Sequence, residues 1–152
     1  MAALSRRPLA TEIDSDRRGV MYEVHGWLNL SESTYESDVG SLETAVHMLR
    51  DVIEKRFVWP NIKVELIVLN GQYMVTIAGC VNRPTVDAIA IHDLIKLVAT
   101  KLPGSWGLLY EYDSEAIEAP GFNAYQVTRI ARGRVEAQED PFLSPINPMI
   151  ED

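Results

Sequence analysis

Asn70 and Gly71 stand between two runs rich in β-branched and aromatic residues, IKVELIVL (62–69) and QYMVTIAGCV (72–81). Asn-Gly supplies the two positive-φ residues of a type I′ turn, whose twist matches that of paired antiparallel strands. This pair therefore predicts a tight hairpin, and the rest of the chain must be arranged around it. Upstream, Leu42, Ala45, Val46, Leu49 and Ile53 recur at helical spacing with Glu43, Arg50, Asp51 and Glu54 off the stripe, predicting a helix from about Ser41 to Phe57. Asp38 or Ser41 is the expected cap. Downstream, Ile91, Leu94, Ile95, Val98 and Leu102 form a second stripe that starts after Arg83-Pro84-Thr85 and stops at Pro103-Gly104.

Outside these elements the pattern is extended. VMYEVHGWLNL (20–30) reads as a first strand, with Tyr22, Val24 and Gly26 on one face and Glu23, His25 and Trp27 on the other. SWGLLYEY (105–112) and FNAYQVTRIA (122–131) read as later strands, with a short extended piece expected at Gly133 to Ala137. The order strand, helix, strand, strand, helix, strand, strand matches the split βαβ plan through its first six elements. The expected fold is α+β, a ferredoxin-like antiparallel sheet with two helices on one face and one or two added strands. The tail EDPFLSPINPMIED (139–152) contains three prolines, which bar a helix or a central strand. Phe142, Leu143 and Ile146 predict that it docks as an extended arm.

A chain of 152 residues, 47% hydrophobic and 24% charged, fits one globular domain, here residues 21–152. The first twenty residues are polar, precede the patterned sequence, and read as a flexible extension. A single cysteine, Cys80, makes an internal disulfide impossible and accords with a reducing, cytoplasmic setting. No apolar run reaches the ~20 residues of a membrane span, and nothing at the start resembles a secretion signal. The net charge of −8 is concentrated late: residues 111–152 carry nine acids against three arginines. That balance argues against a nucleic-acid partner, which demands clustered Lys and Arg, and is compatible with a basic macromolecule or simply with solubility.

Few residues are arranged for chemistry. Cys80 has apolar neighbours and reads as a buried, inert thiol. His25, His47 and His92 are scattered without metal-ligand spacing, and His92-Asp93 are adjacent helical positions about 100° apart, so they read as solvated helix-face polarity. No glycine pattern supports a nucleotide cofactor, and no cofactor is expected. Glu111, Asp113, Glu115 and Glu118 follow one another with no basic residue between them. Glu111 and Asp113 share a strand face about 7 Å apart, a spacing that fits a carboxylate pair or an exposed edge equally. Trp27, Trp59 and Trp106 read first as core or rim. An exposed aromatic beside acids is also what a recognition surface uses.

YEVHGW (22–27), GSWGLLYEYDSE (104–115) and the ending EDPFLSPINPMIED together resemble the bacterial immunity protein 7 family, over residues 21–152. The resemblance implies a cytoplasmic protein without catalytic machinery. Its partner would be a toxin domain encoded beside it, neutralised by tight binding. On that reading the toxin-facing residues are Trp27, Glu32, Tyr35, Glu36 and Asp38 at or after the first strand, and Glu111, Asp113, Glu115 and Glu118 at the later acidic segment. Exposed sheet edges leave room for a homodimer. The rivals are a small-ligand or regulatory domain, which predicts a concave apolar pocket with convergent polar groups, and an acid–base enzyme, which predicts carboxylates with shifted pKa values in a cleft.

Overall fold

In a computed structural model of the chain, the Asn70-Gly71 turn takes the conformation its residues dictate, with φ of 50° and 77°. Leu69 pairs directly with Gln72 across it. The structure describes residues 21–33, 40–58, 61–84, 86–117, 120–121 and 123–147. The expected N-terminal extension, the last residues of the arm, and Tyr35, Glu36, Asp38, Trp59 and Glu118 lie outside them.

Among the described residues the order is β1 (Tyr22–Asn29), α1 (Ser41–Arg56), β2 (Ile62–Leu69), β3 (Gln72–Val81), α2 (Val86–Lys101), β4 (Trp106–Asp113), β5 (Gln126–Ala131) and β6 (Arg134–Gln138). The fold is α+β. The strands form one antiparallel sheet ordered β2-β3-β1-β4-β5-β6. The connections β1-α1-β2 and β3-α2-β4 each step over one strand, so β1 ends at the centre, between β3 and β4. The helix stripes read from the sequence are the buried faces: Val46, Leu49 and Ile53 from α1, and Ile91, Leu94, Ile95 and Val98 from α2. They share one core with Tyr22, Val24, Leu28, Ile62, Val64, Val75, Ile77, Leu109 and Ile130. On the pleated sheet these strand residues alternate with a second set that the helices do not cover.

The alternation corrects several expectations. Cys80 is exposed, because Val75, Ile77 and Gly79 take the helix side of β3 and Cys80 falls on the other, opposite Glu23. In β4 Gly107 and Leu109 of the apolar run take the helix side, while Trp106, Leu108, Tyr110 and Tyr112 face away, so Trp106 lies at the rim, 49% exposed. The cap of α1 is Gly40, with no side-chain hydrogen bond, rather than Ser41. Ser41 instead donates its hydroxyl to the Glu32 carboxylate.

Gly107 is where the sheet closes most tightly. A β-carbon there would overlap the carbonyl oxygen of Trp27 and lie 2.9 Å from Leu28 Cα, so only glycine lets β4 approach β1 so closely. The C-terminal arm is attached differently from the sequence expectation. Phe142 is 81% exposed and Leu143 is also exposed. Polar groups hold the arm instead: Asp140 accepts from the backbone N–H of Phe142 and Leu143 and from the Ser144 hydroxyl, and Ser144 Oγ accepts from the N–H of Tyr125. Asn123 adds three bonds, to Asn147 through its side chain and to the Ile146 N–H through its carbonyl. Burial raises the Asp140 carboxyl, but the donors from Phe142, Ser144 and Leu143 together outweigh it and hold its pKa below the usual value.

Candidate functional site

The strand alternation that buries Leu109 also carries Glu111 to the helix side of the sheet, where it is only 8% exposed. A buried carboxylate needs donors, and two converge on it. Tyr22, on the neighbouring strand β1 two residues from Val24, the direct partner of Glu111, donates its hydroxyl to Glu111 Oε1 at 2.5 Å. His92, which follows the buried Ile91 on α2, directs Nε2 to the same group, 3.0 Å from Oε1 and 2.8 Å from Oε2. The hydrogen bond to Glu111 raises the His92 pKa above its ordinary value against the opposing effect of burial. Burial and the Glu111 charge push the Tyr22 hydroxyl well above the usual tyrosine range. Tyr22 therefore serves as a fixed donor, and His92 is a group whose charge depends on its carboxylate neighbour.

This trio forms the floor of an open cleft of about 750 Å³ between α2 and the segment that follows β4. Apolar walls are supplied by Pro84, Ala88 and Ile89 on one side and Ala116, Ile117 and Pro120 on the other. Ile117, at 97%, is the most exposed large apolar side chain among the described residues. Asp93, Lys96, Asp113 and Glu115 add charge at the margins. The start of the acidic segment is rigidly set. Ser114 exchanges bonds with the backbone of Met21, while Asp113 accepts the Glu115 N–H through Oδ1 and the Ala116 N–H through its carbonyl.

The structure thus gathers Glu111, Asp113 and Glu115 around one concavity. Glu115 is not without a counter-charge, since Arg83 Nε lies 3.6 Å from it. Glu32 lies elsewhere, beyond the far end of β1. The register Tyr22↔Asp113 and Asn29↔Trp106 separates the two ends of that strand by about 23 Å. Trp27 lies on the sheet face opposite the helices, 37% exposed, edge-on to Trp106 with ring centroids 5.2 Å apart. On that same face Tyr125 meets Tyr110 and Tyr112 at 5.8 and 5.9 Å.

Sequence reasoning missed His92 as a partner of Glu111, because the contact joins a helix to a strand nineteen positions away. One signal was present: a glutamate in phase with Gly107 and Leu109 must turn inward and requires a donor. The cleft itself meets part of the ligand-domain expectation, in being concave with convergent polar groups. Among the described residues, no His, Cys, Asp and Glu group is set to hold a metal ion, and no helix is long and apolar enough to cross a membrane.

The chain is therefore an α+β protein with helices on one side of its sheet and an open, carboxylate-floored cleft at the sheet's end. The family model described as immunity protein 7 matches residues 21–152, most of the chain, and the chain belongs to that family. Membership implies a protein toxin as partner. Neither the curated proteins nor the solved structures contain a match.

Proposed function

We propose that this chain is an immunity protein that binds and neutralises one cognate bacterial polymorphic toxin in the cytoplasm of the cell that makes both. The observation that carries the reading is the family match over residues 21–152. Binding rather than turnover does the work, with acidic side chains covering a basic toxin surface. The acids of residues 111–152 support this, since a surface built to receive phosphates attracts carboxylates and speeds encounter. Asp113 and Glu115 sit at the mouth of the cleft, with Glu118 following in the chain, and they form the expected contact. Glu32, at the other end of the sheet, belongs to a separate patch.

The test is titration calorimetry of the purified chain with the toxin domain encoded beside it. Reversing Glu115 and Glu118 to lysine is expected to weaken binding about tenfold or more, with the loss shrinking as salt is raised. Unchanged affinity removes this segment from the interface. A small-ligand or regulatory domain is the second reading, and the concavity favours it. It predicts that a bound metabolite copurifies with the chain, which mass spectrometry of the native protein would reveal.

A further inference from the structure

The cleft combines two features that single out one kind of occupant. Its walls are short and apolar, and its floor is a carboxylate that still has acceptor capacity. Glu111 offers about four lone-pair sites, and the Tyr22 hydroxyl with the one Nε2 hydrogen of His92 fills two or three of them. Around it, Asp93 and Glu115 each have an arginine at 3.6 Å, Arg56 and Arg83, whereas Asp113 lines the cleft with no ion pair of its own among the described residues. An anion would meet repulsion there, and a purely apolar group would leave the carboxylates desolvated.

A lysine or arginine side chain satisfies both parts. Its methylene stem packs on apolar surface while its charged head makes short, charge-assisted bonds to a carboxylate. We propose that the cleft between α2 and the segment after β4 receives a basic side chain of the toxin, with the head group against Glu111 and Asp113 and the stem between Ile89 and Ile117. The inference rests on the immunity reading and narrows it: the acids act as a socket for one residue as well as a diffuse field. The head displaces water from the floor, and Ile117, at 97% exposure, becomes buried on the stem. Such a charge pair in a desolvated pocket is where interface energy concentrates.

The experiment measures toxin affinity for four variants of the full chain. Ile117→Lys places a competing ammonium at the mouth, and because Ile117 is almost fully exposed this change leaves the fold intact. It is expected to weaken binding about tenfold. Asp113→Asn is expected to cost a similar factor. Glu111→Gln, which keeps the shape of the buried group, is expected to cost about thirtyfold or more, the usual scale for losing one member of a desolvated pair. Its far-ultraviolet circular dichroism and melt are recorded in parallel, and Ile117→Lys and Asp113→Asn decide the matter if it unfolds. Glu65→Lys, an exposed change on β2 away from the cleft, is the control for net charge and is expected to stay within about twofold. If Ile117→Lys and Asp113→Asn bind as tightly as the parent, the socket is overturned and the immunity reading survives. If the parent chain does not bind the toxin at all, both fall together.

Discussion

The two faces of the sheet are built from the same strands and differ in almost everything else. On the covered face Val24, Leu28, Val75, Ile77 and Leu109 are buried aliphatics in one core with residues of both helices. The other face carries Trp27, Trp106, Tyr110, Tyr112 and Tyr125, half-buried or exposed, packed on one another through ring edges. Aliphatic packing against helices rewards close fit and produces stability. A layer of aromatics in contact with water keeps part of each ring accessible, and each ring retains surface that a partner can cover. One face therefore holds the fold together, and the other is stabilised mainly by its own side chains.

The largest effect that tests this contrast is on the covered face, at the seam between β1 and β4. Gly107→Ala should lower unfolding free energy by about 4 kcal/mol or prevent folding, because the added carbon meets the Trp27 carbonyl rather than a side chain that can move. Urea denaturation measures it, and a loss under about 1 kcal/mol would show that β1 and β4 have room to part. Next comes a pair of neighbours. Leu109→Ala should cost about 3 kcal/mol, and Leu108→Ala, one residue away on the other face, about 1 kcal/mol or less. Equal costs would abolish the distinction between the faces.

A smaller term belongs to the rings. A double-mutant cycle on Trp27 and Trp106 should give a coupling of about 1 kcal/mol, and zero coupling would mean that the edge contact does not stabilise the uncovered face. The smallest effect is at the cleft end of the covered face. His92 has a raised folded pKa, so its stabilising contribution is complete below the unfolded value of 6.5 and is lost as pH rises through the folded one. Melting temperature should therefore fall as pH rises above about 6.5 in the parent and fall less in His92→Gln. Identical slopes would detach His92 from Glu111. At the uncovered face, Cys80 should react with iodoacetamide in the folded protein at a rate within about threefold of the unfolded chain, read by intact mass.

The difference between faces also explains what could be read from the sequence. Helix stripes and the Asn70-Gly71 turn were legible because each depends on a few neighbouring residues. Trp27 was half-legible: alternation placed it opposite Tyr22 and Val24, but which set met the helices is decided by packing. Cys80 was misjudged because its apolar neighbours outweighed its phase, although Val75, Ile77 and Gly79 mark the buried side of β3. The Glu111–His92 bond was illegible from local pattern because it exists only after α2 is laid across the sheet. Phe142 and Leu143 misled in the opposite sense, since Asp140, Ser144 and Asn123 tie the arm down through polar bonds.

The position of β1 has a consequence for timing. Among the described strands it is the first a ribosome releases, and both of its neighbours, residues 74–81 and 106–113, come later in the chain. Until those emerge, the central strand has no ladder, and its aliphatic face can only be shielded transiently. A nascent chain that ends before Trp106 lacks Glu111, the carboxylate on which Tyr22 and His92 converge, and the acidic segment beyond it. On the function proposed here, toxin binding starts only once the chain through Glu115 has been made.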